Sequence, residues 1–376
     1  MTNTFIVLFC LLPFANFIIQ KVDIWHSQGY FLQSSILILY CLHLAEQNKP
    51  LGALVFWVGS LTIFNFIKIH VMKGVYPTSI FLPFFNFLCI VILYEFITKY
   101  ITKKHMEQLA RYFSIVIFII MGYAVLQYFN LDQFYKRIDS WVKTDSVVGI
   151  MGNQMHFAHF LAISCPLFFL LKKNWCFVGI VSTLAVIGLT NTSSGLIIAF
   201  LLIVFCSVLC KIFTKRETIL TIIFIMLSGF HLFPHIGNFF SDSGRFELWQ
   251  KFVPFFKEKP IIGLGLGMIN QIVLVNQIKY GDSLYRYVHN EYFQFAIEIG
   301  VIGLVLIFWG IIDYFKKFWY AEKDKVTVCM AAMFIGFLLC SLTGFPAHLF
   351  MLAALGILGY SWGYKKNGEK INANSF

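Results

Sequence analysis

Two short stretches of the chain gather residue types able to hold an anion or move a proton. The first is Ser241-Asp242-Ser243-Gly244-Arg245-Phe246-Glu247-Leu248-Trp249-Gln250-Lys251-Phe252. Ser243 is placed to cap a helix, and Phe246, Trp249, Phe252, Val253 and Phe256 recur at helical spacing. The stretch therefore predicts an amphipathic helix lying along an interface and stopping near Pro260. Arg245 falls in its first turn, where unpaired backbone N–H groups and the positive end of the helix dipole attract anions. A guanidinium adds a two-pronged donor there, a combination suited to phosphate or pyrophosphate. The plainer role for Arg245 is to pair with Asp242 or reach lipid headgroups. The second stretch, Arg286-Tyr287-Val288-His289-Asn290-Glu291-Tyr292, leads straight into an apolar run. A helix start disfavours an imidazolium, so His289 is expected to be neutral near pH 7 and able to accept a proton from a sugar hydroxyl. Its plainer role is that of a capping or interfacial histidine. Glu298, further along the same run, is surrounded by apolar residues and is expected to partner a buried cation.

Three other stretches carry weaker signals. In Gly152-Asn153-Gln154-Met155-His156-Phe157-Ala158-His159, the two histidines share a helix face, but a metal site would need a third ligand that the sequence does not offer. Pro260-Ile261-Ile262-Gly263-Leu264-Gly265-Leu266-Gly267-Met268 has glycines spaced as in a dinucleotide loop, yet no parallel-sheet pattern surrounds it. Its glycines are expected to let an apolar loop dip into the membrane surface against other helices. Thr190-Asn191-Thr192-Ser193-Ser194-Gly195 reads as a turn rich in hydroxyls.

The elements that must position these residues are membrane helices. Of 376 residues, 59% are hydrophobic and only 12% charged, against about 25% charged in a soluble domain. Lipid must be the solvent for most of the chain. The formal charge of +11 does not indicate a nucleic-acid partner, because the basic residues are mostly Lys and fall in short clusters between apolar runs. Windows of about 20 apolar residues give candidate spans at 4–20, 29–45, 50–67, 78–97, 108–129, 154–171, 175–190, 194–212, 218–233, 291–313, 326–343 and 345–364. Placing both ends in the cytoplasm concentrates Lys and Arg in the inside loops, as the positive-inside rule requires; the long outer segment is exempt by its length. The run from Phe5 to Ile19 has no preceding basic residue and no small-residue cleavage site, so it is read as a span and not a removed signal peptide. The cysteines lie in or beside apolar segments without a paired CxxC pattern, which predicts packing, as for Cys206 and Cys210, in place of disulfides or metal ligation. The expected organisation is an all-α polytopic bundle: nine spans in 1–233, a long extracytoplasmic loop at 234–290, three more spans in 291–364 and a cytoplasmic tail at 365–376.

Taken in order, Gly149 to Leu167, the Thr190–Gly195 turn, Gly244-Arg245 with Trp249, the Pro260–Gly265 block, and His289-Asn290 with Glu298-Ile299-Gly300 resemble the O-antigen ligase and O-antigen polymerase superfamily. The resemblance covers about residues 145–310 well and the first four spans by topology alone. It implies a glycosyltransferase of the bacterial cytoplasmic membrane. Such an enzyme takes a glycan from an undecaprenyl-pyrophosphate carrier at the outer leaflet and passes it to a lipid A core or a growing polysaccharide chain, with no metal or other cofactor. By the same resemblance Arg245 binds the carrier pyrophosphate and His289 deprotonates or orients the acceptor hydroxyl. Arg286, Asn290, Trp249, Asn153, Ser193, Ser194, Gly263 and Gly265 are then expected to line the substrate. One departure stands out: many ligases have a Ser-Arg-Gly-like step where this chain has Ser193-Ser194-Gly195. Arg286, Lys143 or Lys259 are the substitutes on offer. The rival reading is a twelve-span transporter or flippase, which predicts helices broken at matching positions in two halves; here the halves are unlike.

Overall fold

Helices occupy the apolar runs in the computed structural model, which describes residues 2–14, 78–132, 147–211, 245–280, 283–284, 287–320 and 322–373. They are α1 (Thr2–Leu11), α2 (Thr78–Tyr100), α3 (Lys103–Tyr128), α4 (Gln154–Ser164, tightening into a 3-10 helix over Cys165–Leu170), α5 (Lys173–Leu189) and α6 (Ser193–Cys210). There follow α7 (Arg245–Glu258), α8 (Met268–Asn276), α9 (Glu291–Tyr320), α10 (Lys325–Thr343) and α11 (Phe350–Ala373). The only strands among the described residues are β1 (Lys279–Tyr280) and β2 (Ser283–Leu284), an antiparallel pair. Helices α3, α6, α9 and α10 are long and apolar enough to cross a membrane; α1, α4 with its extension, α5 and the Phe350–Gly363 part of α11 are shorter apolar helices. The chain is thus a multi-pass helical membrane protein. The spans expected at 29–45, 50–67 and 218–233 lie outside the described residues, as do Ser243, Lys143 and Arg286.

Local chemistry sets the helix ends. Thr102 and His105 cap α3 reciprocally, each side chain accepting from the other's backbone N–H. Asp324 caps α10 by accepting from the Thr327 N–H at 2.8 Å. The same carboxylate meets Lys103 Nζ at 3.1 Å, which ties the starts of α3 and α10 together at one end of the bundle. Along α4 every residue from His156 to Ser164 is buried, as expected of a helix enclosed by neighbours on all sides. The eight described cysteines are free thiols, most of them buried in this bundle.

Two expectations need correcting. The run 291–313 is not one continuous helix: Gly300, at φ 67° and ψ −173°, breaks α9. The Pro260–Gly265 segment fills the break instead of only dipping into lipid. Leu264 and Gly265 N–H donate to Ile297 O (2.9 Å) and Glu298 O (2.8 Å), ending the first piece. Val301 and Ile302 N–H donate to Pro260 O (2.9 Å) and Ile261 O (3.2 Å), starting the second. Four of the backbone groups freed by the interruption are thereby satisfied, as an apolar medium favours. The second piece exposes Val301, Ile302, Val305, Leu306 and Trp309, an outer face suited to lipid. Next to it Ile261 and Ile262 are 62% and 68% exposed, extending that apolar surface. The first piece buries Glu291, Gln294 and Glu298. Glu298 consequently sits at the break, not in mid-span.

The second correction concerns α7. Its apolar face covers a small protein core: Leu248 and Phe252 are buried against Ile269, Ile272, Val273, Ile278, Val288 and Ile297. Phe246, expected on that face, is exposed. Finally, α11 stays helical to Ala373, through most of the stretch expected as a tail.

Candidate functional site

The site is built at the start of α4. Asn153 caps this helix, its Oδ1 accepting from the N–H groups of Met155 (2.9 Å) and His156 (3.2 Å). Met155, held in the first turn, receives Arg245 Nη2 on its sulfur at 3.7 Å. The first turn of α7 is thereby brought onto the first turn of α4, 90 positions away in the chain. One turn deeper, His159 Nε2 lies 3.1 Å from Ser194 Oγ at the start of α6. Its Nδ1 is buried without a hydrogen-bond partner.

Phe345, buried between α10 and α11, gathers the rings. It meets His156 edge-on with centroids 4.7 Å apart, meets His289 edge-on at 5.1 Å, and stacks on Tyr287 at 4.0 Å. His289 has a left-handed backbone, φ 58°. For a residue with a Cβ this is an uncommon and mildly strained state that persists only where its surroundings impose it. Here both neighbours are pinned. Trp249 Nε1 donates to Val288 O at 2.9 Å, and Val288 N–H donates to Gln294 Oε1 at 3.2 Å. Asn290 Oδ1 accepts from Phe293 N–H at 3.0 Å, while its amide donates to Leu342 O at 3.3 Å.

Burial and the Arg245 guanidinium together push the His289 imidazole down to about 4, so the ring is neutral at pH 7. Neutrality was expected; the cause assigned to it was not the right one, since burial leads and Arg245 follows, in place of the helix start. Arg245 and His289, 44 positions apart in the chain, both come to the start of α4, Arg245 on Met155 and His289 on the Phe345 ring that also meets His156.

Sequence reasoning missed His348. It lies in the Pro346–His348 turn, outside any motif, and only the demand of Glu298 for a cationic partner pointed to such a group. Glu291 Oε1 stands 2.6 Å from His348 Nδ1, and Glu298 Oε2 3.6 Å from Nε2. Burial by itself would lower this imidazole, yet the Glu291 carboxylate, through charge and hydrogen bond, and the Glu298 carboxylate lift it to about 10. A histidine raised in the folded state stabilises fully below its ordinary value of about 6.5 and loses that contribution as pH climbs through about 10. Thermal unfolding followed from pH 6 to pH 10 is therefore expected to show falling stability in the wild type and a flatter curve in His348→Gln. Parallel curves would remove the imidazolium from this account.

The other expected site residues divide by place. Asn153 caps the turn that carries Met155, Ser194 meets His159, Trp249 and Asn290 hold the backbone on either side of His289, and Ser193 opens α6 beside Ser194. Gly263 and Gly265 belong to the α9 break, against Glu298. Among the described residues no group of three His, Cys, Asp or Glu side chains is arranged to hold a metal ion. No curated protein matches the chain. Residues 158–308, which run from α4 through the Arg245 helix, the glycine segment and the break in α9, match the family model described as O-antigen ligase, and over that stretch the chain is similar to that family.

Proposed function

We propose that the protein transfers a glycan from a polyprenyl-pyrophosphate carrier, undecaprenyl pyrophosphate in a bacterium, to an acceptor hydroxyl at the extracytoplasmic face of the membrane. The acceptor is a lipid A core or another glycan chain. The hydroxyl oxygen bonds to the anomeric carbon and its proton passes to His289. The bond from that carbon to the pyrophosphate oxygen breaks, and its electron pair leaves with the polyprenyl pyrophosphate. Developing negative charge needs a fixed cation beside the leaving group, which is the role assigned to Arg245. Deprotonation needs a neutral base within hydrogen-bond reach, which is the role assigned to His289. The donor carries its own activated leaving group, so the step is written without nucleotide, metal or other cofactor. One arrangement supports this reading: Arg245 reaches the Met155 sulfur in the first turn of α4, and the next residue, His156, shares the Phe345 ring with His289.

The transporter reading gains nothing from the broken α9. In transporters such breaks leave backbone groups for the cargo, whereas here the Pro260–Gly265 segment consumes them.

The test is complementation of a deletion strain, with surface and carrier-linked glycans resolved on a gel. The wild-type gene is expected to restore the glycan, and Arg245→Ala or His289→Ala, expressed at equal level, to fail. Accumulation of carrier-linked polymer in the deletion strain assigns a ligase, and single-repeat products assign a polymerase. An unchanged profile with both variants removes the proposed roles.

A further inference from the structure

Resting on that reading of His289, we propose that His348, clamped between the carboxylates of Glu291 and Glu298, is a positioning residue for the reaction. It fixes the strained His289 backbone from behind without touching substrate.

The clamp grips the 346–348 turn at two points. Glu291 Oε1 lies 2.6 Å from His348 Nδ1, and its Oε2 accepts from Ala347 N–H at 2.9 Å. From the imidazole two routes lead to His289. Glu298, whose Oε2 lies 3.6 Å from His348 Nε2, accepts on Oε1 from Gln294 Nε2 at 3.3 Å, while Gln294 Oε1 accepts from Val288 N–H. Val288 is the residue before His289, so the amide of Gln294 joins the clamp to the His289 backbone directly. The second route runs through rings. Phe345, three residues before His348, packs edge-on against His289, and Tyr287, which stacks on Phe345, lies 5.7 Å from the His348 ring.

The electrostatics make the clamp hard to dispense with. Glu291 and Glu298 are both buried, at the first position of one helix piece and two turns further along it. Buried carboxylates of like charge are tolerated only when paired. Removing the imidazole leaves two carboxylates that must take up protons or draw in water. Either response disturbs Gln294, which is bonded to one of them and to Val288. The left-handed conformation of His289 then loses an anchor, and a strained backbone without its anchors relaxes.

The experiment uses the full-length protein in nanodiscs, with diethyl pyrocarbonate as the probe and mass spectrometry to map modified histidines. In His348→Gln the labelling rate of His289 is expected to rise at least fivefold while His159, buried deeper in α4, stays at the wild-type rate. The complemented strain should make at least tenfold less glycan. A purely structural role would raise labelling at both histidines or at neither. Should His348→Gln also label at His159, the second variant is Gln294→Met, which leaves the Glu291–His348 pair intact and removes the amide's bonds to Val288 and Glu298. It too should raise His289 labelling alone. Wild-type labelling of His289 in Gln294→Met, or in a folded His348→Gln, overturns the proposal. Loss of glycan in His289→Ala together with wild-type behaviour of His348→Gln sinks the positioning role only. Full transfer by His289→Ala with altered labelling in His348→Gln sinks the base assignment only.

Discussion

Replacing His289 by Gln should lower glycan transfer by about 10²–10⁴-fold, the range for a general base, and Arg245→Gln should cost about 10²–10³-fold, the range for one charge-stabilising donor. The pH profile distinguishes the two roles. His289 is held at about 4 in the free protein, so the limb on the acid side of kcat/KM belongs near pH 4, far below the usual histidine value. Activity falls as pH drops through that limb, because the imidazole must be neutral to accept a proton. Arg245→Gln removes one of the two causes of the depression and leaves burial, the larger, in place. The acid limb of the residual activity should therefore move upward without reaching about 6.5. There is a further consequence. An imidazole so depressed is a weak base at neutral pH, but a pyrophosphate bound to Arg245 cancels the charge responsible for part of the depression. The limb in kcat, which reports the occupied enzyme, should then lie at higher pH than the limb in kcat/KM. Rates measured from pH 4 to pH 8 in nanodiscs decide it. A wild-type kcat/KM limb at about 6.5, or one that Arg245→Gln leaves in place, contradicts the electrostatic coupling.

Much of this could be read from residue order, for identifiable reasons. Apolar runs at membrane length declare helices because lipid cannot hydrogen-bond a backbone, and α3, α6 and α10 stand where their runs predicted. The placement of Arg245 at a helix start and of His289 just before one was legible because both are local signals. Hidden from the sequence were features that depend on a partner far along the chain. Gly263 and Gly265 were expected in an apolar loop dipping into the membrane surface against other helices, but nothing local says that its backbone will meet Glu298. Glu298 looked intramembrane because hydropathy cannot see that Gly300 takes a left-handed φ and breaks the helix. His348 carried no signal beyond being a histidine after a proline, and its importance comes from two carboxylates more than 45 positions away. The apolar face of α7 was visible, yet its target was not: a stripe that packs on Ile269 and Val273 has the same periodicity as one that lies on lipid.

The break in α9 supports the second large prediction. Gly263→Ala and Gly300→Ala should each destabilise the protein by about 3–5 kcal/mol, the exceptional end of single substitutions. A Cβ on Gly263 would fall 2.3 Å from Glu298 O, and one on Gly300 2.3 Å from Ile261 O, both backbone atoms. Neither obstacle is the end of a movable side chain. To retreat, the two segments would have to stretch the four hydrogen bonds that satisfy the interrupted helix, at a point where few other donors or acceptors stand ready. Both glycines also have φ near +70°, which costs a residue with a Cβ about 1–2 kcal/mol before any clash. Because the two positions face each other across one contact, the double variant should lose less than the sum of the singles. Gly122→Ala is the control: nothing lies within 4 Å of its Cβ position and it sits inside the regular helix α3, so alanine there should be neutral or slightly stabilising. Thermal unfolding of the purified protein, read with size-exclusion monodispersity, measures all four. A monodisperse Gly300→Ala protein with the wild-type midpoint would mean that the 260–265 segment does not fill the break, and the placement of Glu298 beside His348 would lose its support.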